Sequence, residues 1–312
     1  MTDFLTLSDR FLRGNFVLTG ELTPPVSASA ADLLAKAEPL MGVVDAVNIT
    51  DGASARVALS SAAASAVLEA QGVETIAQFT CRDRNRIALM GDLLGVAAQG
   101  VNNILVLRGD DPKKGDQPDA SGVFDMESTE LMSIARDMTT DGSYPSFQKG
   151  EQSTTSRTLK SKPNFLIGAA DMPTDEVNDR WLSGLKAKTA AGARFVQTQF
   201  CYDMSLLSSY AHLLVEEGFS EKLNFLIGNG PLLSAQSASW IRDNLYGVSI
   251  PDSVIERLNK ADDPKAEGIA ICVEQMLEMA ELPGISGAHL MAPINTSSIP
   301  VVVENFRKLV RI

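Results

Sequence analysis

Short apolar runs alternate with longer stretches of helical periodicity along the chain. The runs are residues 15–22 (NFVLTGEL), 46–50 (AVNIT), 75–80 (TIAQFT), 103–110 (NILVLRGD), 164–170 (NFLIGAA), 195–200 (FVQTQF), 224–229 (NFLIGN) and 287–293 (GAHLMAP). Each is short, partly β-branched and bounded by Gly, Asp or Asn, which predicts strands. The intervening segments, such as ASAADLLAKAEPLM and RNRIALMGDLLGVAAQG, carry apolar residues at helical spacing. Two further helical pieces, PDSVIERLNK and PKAEGIAICVEQMLEMAEL, follow the seventh run. Strands alternating with helices predict an α/β protein with a parallel sheet. Eight of them in 312 residues predict a closed (β/α)8 barrel, one domain over 1–312 with extra C-terminal helices. An open doubly wound sheet would usually carry a G-x-G-x-x-G loop after its first strand, and this chain carries none there.

One stretch breaks the pattern. Residues 139–163 (TTDGSYPSFQKGEQSTTSRTLKSKP) are polar and hold Lys149, Arg157, Lys160 and Lys162 on an otherwise acidic chain. They predict an insertion or a lid.

A barrel gathers its site at the C-terminal ends of the strands. Those ends read Glu21, Thr50 with Asp51, Gln78 with Thr80, Arg108 with Asp110, Asp171, Gln199, Asn229 and Asn295. Glu21 and Asp110 close unusually apolar runs, so partial desolvation of both carboxylates is expected. Pro24 and Pro25 lock the turn behind Glu21.

Composition narrows the classes. The net charge is -12 and no basic face is visible, which argues against a nucleic-acid partner. Three widely spaced cysteines fit a reducing compartment rather than a disulfide framework. Two histidines, far apart in sequence, make a His-rich metal site unexpected. His289, inside the eighth run, is expected as a core or pocket histidine. The N-terminus does not read as a signal peptide and no run is long enough to span a membrane, so a cytoplasmic protein is expected.

Taken in order, Glu21-Leu-Thr-Pro-Pro, Thr50-Asp-Gly-Ala, Thr80-Cys81, Leu107-Arg-Gly-Asp110, Lys188-Thr-Ala-Ala-Gly-Ala and Thr198-Gln-Phe-Cys-Tyr-Asp203 resemble the methylenetetrahydrofolate reductase family over nearly the whole chain. The resemblance implies hydride transfer between 5,10-methylenetetrahydrofolate and 5-methyltetrahydrofolate, with NAD(P)H or NAD(P)+ and, in most members, through bound FAD. It makes Glu21 the acid that protonates the leaving folate nitrogen. A free Glu is protonated in only about one molecule in 500 at neutral pH, so burial is expected to raise its pKa. Asp110 would stabilise the iminium cation, Gln199 would hydrogen-bond the pterin, and Thr50 would lie near the nicotinamide. Asn229 and Asn295 complete the expected substrate contacts.

Of the flavin-contact positions, Ala53, Arg108, Gly109, Asp110 and Lys188 follow the family. Asp51, Gln78, Ala170 and Trp181 depart from it, while Thr80 is kept beside Gln78. The departures leave two forms of the reaction open: FAD held differently, with Trp181 as a stacking surface, or direct transfer from nicotinamide to folate. A non-redox pterin-binding methyl-transfer barrel and a non-catalytic binding barrel are the rival readings. The expected partner is a folate; monomer and homo-oligomer both stay open.

Overall fold

The computed structural model describes residues 5–147, 154–293 and 295–310. Eight parallel strands close into a barrel: β1 (Val17–Leu22), β2 (Ala46–Ile49), β3 (Thr75–Thr80), β4 (Asn103–Leu107), β7 (Leu166–Asp171), β8 (Phe195–Phe200), β9 (Asn224–Asn229) and β10 (Ile285–Leu290), in that order around the ring. All eight sequence-predicted strands are present. β5 (Ser143–Phe147) and β6 (Thr154–Thr158) form a separate antiparallel pair.

The outer helices are α2 (Ala30–Ala37), α3 (Ser61–Glu69), α4 (Arg86–Ala98), α5 (Ser128–Thr140), α6 (Asp179–Ala190), α7 (Met204–Glu216), α10 (Pro264–Glu281) and α11 (Ile299–Leu309). Their starts are set locally. Ser29, Ser60, Asn85, Asn178, Asp203 and Asp263 each cap a helix by accepting from backbone N–H groups of the first turn. Their buried faces and the outward strand positions share one continuous apolar core.

Inside the barrel the strands alternate, and their inward residues stack in layers. The lowest layer is apolar: Val17, Ala46, Ile76, Leu105, Phe195 and Leu226 pack together. A short N-terminal helix, α1 (Leu7–Leu12), plugs this end with Leu7 and Phe11, whose ring lies 6.1 Å from that of Phe195. A Cβ on Gly168 would meet the Phe195 ring at 2.3 Å, so the glycine makes room for that ring. Two residues further along β1, β2 and β8 the lumen becomes polar: Thr19, Asn48 and Gln197 are buried there with His289 of β10.

Two segments leave the regular alternation. Within the polar stretch at 139–163, β5 and β6 pair antiparallel between α5 and β7. Its entry and exit are tied at the lower end of the barrel, where Phe165 N donates to Thr139 Oγ1 and Leu166 N to Asn102 O. A helix-to-strand connection lies on the face opposite the strands' C-terminal ends, so the hairpin is an insertion on the floor and not a cover for the mouth. Lys149 falls outside the described residues.

The segment that does border the mouth is the one after β9. There α8 (Ala235–Asn244), residues 245–251 and α9 (Asp252–Lys260) precede α10. Ser249 bridges Cys201 in parallel, and Tyr202 N donates to Ser249 O at 2.9 Å. Phe200, Tyr202, Leu232, Ala238, Ile250, Leu258 and Ile271 form a small core of their own that seats this lobe. Among the described residues no helix is long and apolar enough to cross a membrane.

Candidate functional site

Glu21 stands one residue before the end of β1, on the same strand face as Thr19. Its side chain is 21% exposed, and its Oε2 lies 3.8 Å from Nε2 of the buried His289. Below it, Thr19 Oγ1 lies 2.9 Å from His289 Nδ1, and Gln197 Nε2 donates to Thr19 Oγ1 at 3.1 Å. Asn48 Nδ2 faces His289 Nε2 at 3.4 Å. Thr50, at the end of β2, is buried.

Three side-chain oxygens on this side are buried without a protein partner: Asn48 Oδ1, Thr50 Oγ1 and Gln197 Oε1. A buried acceptor left unpaired costs about 1–3 kcal/mol, so three together mark a place built to meet something else.

The loops after β2 and β4 are stitched to each other. Ala53 opens a single 3-10 turn in which Ser54 and Ala55 both take left-handed φ values of 55°. This strained turn aims the Ser54 N–H at Asp110 Oδ2, 3.1 Å away. Asp110 is exposed on the rim, and Arg108 beside it lies over the Phe124 ring at 4.4 Å. Gly109 has φ +91°, and a Cβ there would press on Arg82 and Thr80 at 2.9 and 3.0 Å.

The other half of the mouth is already satisfied by the protein. Asp51 accepts from Thr80 N at 2.8 Å and Thr80 Oγ1 at 3.0 Å and pairs with Arg84, while Gln78 Oε1 accepts from Asp51 N at 3.3 Å. Arg82, also buried, lies against Gly52 and donates to its carbonyl at 3.1 Å. At the end of β7, Asp171 accepts from Trp181 Nε1 (3.1 Å), Tyr210 OH (2.8 Å) and Lys188 Nζ (3.2 Å). Lys188 also donates to Ala170 O at 2.7 Å. Burial, and then the Asp171 charge, push the Tyr210 phenol well above its ordinary range, so it stays a donor. Trp181 meets Tyr210 and Phe219 edge-on at 6.2 and 5.9 Å and packs against the core.

Lys188 and Trp181, two of the positions expected to meet a flavin, are not free to do so. A flavin diphosphate needs free donors and its ring a free face. Here Lys188 is committed to Asp171 and the Ala170 carbonyl, and Trp181 is packed inward.

Gln199 lies at the rim, half-buried, its Oε1 accepting from Phe200 N and its Nε2 donating to Tyr246 O in the α8–α9 lobe. The ladder between β8 and β9 shifts register beside it. Asn229 corrects the sequence expectation. It is fully buried, donates to Gln275 Oε1 (2.9 Å) and Cys201 O (3.5 Å), and accepts from Gly230 N (2.7 Å). These are ties between β9, the end of β8 and α10, so its amide locks the barrel wall. Asn295 starts a 3-10 turn, where its Oδ1 accepts from Ser297 Oγ at 2.9 Å.

Sequence reasoning named strand ends and passed over Thr19, Asn48 and Gln197, and it left His289 between core and pocket. The missed signal was in the strands themselves: a polar residue two positions before each strand-end polar residue (Thr19 before Glu21, Asn48 before Thr50, Gln197 before Gln199), which the alternation puts on the same face.

The methylenetetrahydrofolate reductase family model matches residues 6–307. A probable methylenetetrahydrofolate reductase (NADPH) of Caenorhabditis elegans is 24% identical over 255 residues, covering 80% of this chain and 35% of that protein. This chain therefore spans about a third of the length of that relative. Among solved structures, an uncharacterized protein from Clostridium thermocellum that binds two copies of 5-methyl-5,6,7,8-tetrahydrofolic acid superposes with a TM-score of 0.64. Its identity is 12%, with 97% of this chain and 99% of that one covered. This last likeness shows a shared fold. The family match over nearly the full length places the chain in the methylenetetrahydrofolate reductase family.

Proposed function

We propose that this family member interconverts 5,10-methylenetetrahydrofolate and 5-methyltetrahydrofolate by hydride exchange with a nicotinamide, NAD(P)H serving as donor or NAD(P)+ as acceptor. The observation that carries the reading is Glu21: a partly buried carboxyl at a barrel mouth, above a polar layer with unpaired acceptors, in the Glu-Leu-Thr-Pro-Pro setting.

In the reductive direction the bond between the methylene carbon and one folate nitrogen must break. Its electron pair stays on the nitrogen, and Glu21 supplies the proton that nitrogen takes. The cationic iminium that remains is stabilised by Asp110 on the same rim. At about 4 Å and an effective dielectric near 20, that attraction is on the order of 4 kcal/mol before desolvation. The nicotinamide, when bound, supplies the hydride. Gln199 offers a rim amide able to donate and accept at a pterin edge.

The flavin expected from the resemblance is not carried into this reading, because Asp51, Trp181 and Lys188 are each bonded within the protein. Direct transfer makes an isotopic prediction. Deuterium at C4 of the nicotinamide should appear in the product methyl group, and the purified protein should be colourless. A yellow protein that bleaches with 5-methyltetrahydrofolate, or loss of the label to solvent through an exchangeable flavin N–H, would return the flavin to the mechanism. No dependence on nicotinamide at all would leave a non-redox folate barrel.

A further inference from the structure

Closing the barrel leaves none of its eight strands with a free edge. The β5–β6 pair is different: two strands bonded only to each other keep two outer edges. The phase of their hydrogen bonds decides what each edge offers. Leu159 N donates to Gly142 O at 2.7 Å, one step beyond the Ser143–Thr158 pair. In an antiparallel ladder, pairs that exchange backbone bonds alternate with pairs that do not. Tyr144 with Arg157 and Ser146 with Thr155 therefore bond across the pair. Ser143, Pro145 and Phe147 point their backbone groups outward from β5, and Thr154, Ser156 and Thr158 point theirs outward from β6.

The two edges are unlike. Pro145 sits in the middle of the outward set of β5, and a proline has no N–H to give and a ring that obstructs an approaching strand. β6 has a donor and an acceptor at each outward position. Ser156 and Thr158 are exposed, and neither N–H bonds a described residue outside the pair. Tyr144 and Leu159 pack against the barrel core, so the pair is held in place. β6 is thus a fixed, open template for one more strand.

The strand that fits this edge is its own copy. The outward set is centred on Ser156. A two-fold axis there sets Ser156 against the partner's Ser156 and Thr154 against the partner's Thr158, so each outward N–H meets an outward carbonyl. In that register Arg157, the one charged residue of β6, lies opposite the partner's Thr155 and not opposite the partner's Arg157. No like charges stand directly opposed, which would oppose pairing. Moving the axis by two residues would leave one end of the outward set without a partner strand.

We propose that the β6 edge joins two copies of this chain through a four-stranded antiparallel sheet centred on Ser156, with Pro145 closing both outer edges so that assembly stops at two. The contact is isologous and therefore closed. A strand pair this short is a small interface, so the dimer is weak and depends on concentration. It forms on the floor and leaves the mouth of each copy open.

Sedimentation equilibrium tests this. Between about 1 and 200 µM the wild type should pass reversibly from one chain to two. S156P removes the central N–H, which β5 does not use. S156K sets two ammonium groups against each other across the axis. Each should raise the dimer Kd by about tenfold or more, as expected when the central bonds of both copies are lost, with the thermal midpoint little changed. In S156K the loss should be largely reversed at about 1 M salt, where charges are screened within ~3 Å. If S156P does not fold, S156K decides, because Ser156 is exposed. A wild type that stays a single chain across the whole range overturns the proposal. So does a dimer that the folded variants leave as tight as before, since it would be built on another face.

Discussion

On the β7 side of the mouth, Asp171 takes hydrogen bonds from Trp181, Tyr210 and Lys188, and across β2 and β3 Asp51 is held by Thr80 and Arg84. In the lumen, Asn48 of β2, Thr50 at its end and Gln197 reaching across from β8 each keep an oxygen that no protein group meets, beside a carboxyl and an imidazole 3.8 Å apart. Both sides place acids at strand ends, and a sequence reader gives them similar weight. The difference lies in satisfaction. Where each carboxylate already has its donors, the arrangement is finished and serves stability. Where buried oxygens go unpaired around a carboxyl and an imidazole, the protein carries a cost that a bound ligand can offset.

The contrast can be broken most sharply at Glu21. E21Q should slow folate turnover by about 10²–10⁴-fold, the usual weight of a positioned proton donor, with the thermal midpoint little changed. Full turnover in this variant would remove the chemical side of the comparison. D171A should do the reverse. It strands Lys188 and leaves Trp181 and the buried Tyr210 without an acceptor, at a cost of about 3 kcal/mol in denaturant unfolding. The folded fraction should keep its turnover. If D171A instead abolishes folate chemistry at unchanged stability, the finished side is a working site after all.

D110N probes the boundary between the two sides. It removes the charge facing the iminium but keeps an acceptor for Ser54 N, so kcat for folate should fall roughly tenfold while the KM for nicotinamide stays put. A change confined to the nicotinamide KM would move Asp110 into cofactor binding.

The cysteines offer a smaller effect with a clear sign. Burial pushes Cys81 up to about 11, with Glu127 adding to it, and Cys201 up to about 12; Cys272 is raised by burial as well. At pH 8 the native protein should show no rapid reaction with a thiol reagent, and three thiols should react on unfolding. One fast thiol in the native state would mean that the wall near Cys81 or Cys201 opens.

The smallest effect belongs to the floor. Replacing Arg157, Lys160 and Lys162 with Ala should leave the folate KM within about twofold, since a screened charge beyond a Debye length contributes little. A large rise would show that this basic hairpin reaches the substrate.

The eight strands, their parallel arrangement and the helices between them were legible because apolar period and cap residues are local properties of the chain. Glu21, Asp110 and Gln199 were legible as strand-end polar residues. Asn229 misled because it too ends a strand, but its amide turns outward to Gln275 on α10. Whether a strand-end side chain faces the lumen or a helix depends on the ladder register, which no single run encodes. The basic stretch at 139–163 reads as an insertion or a lid, and composition alone does not say at which end of the barrel it lies.

What the sequence determined alone, then, was the set of elements and the chemistry available at their ends. The tertiary structure decided which polar groups satisfy each other and which do not. Asp171 meets Tyr210, 39 residues away, and Thr19 meets His289, 270 residues away. Barrel closure sets β1 against β10, and hydrogen bonding acts over about 3 Å of space whatever the separation along the chain.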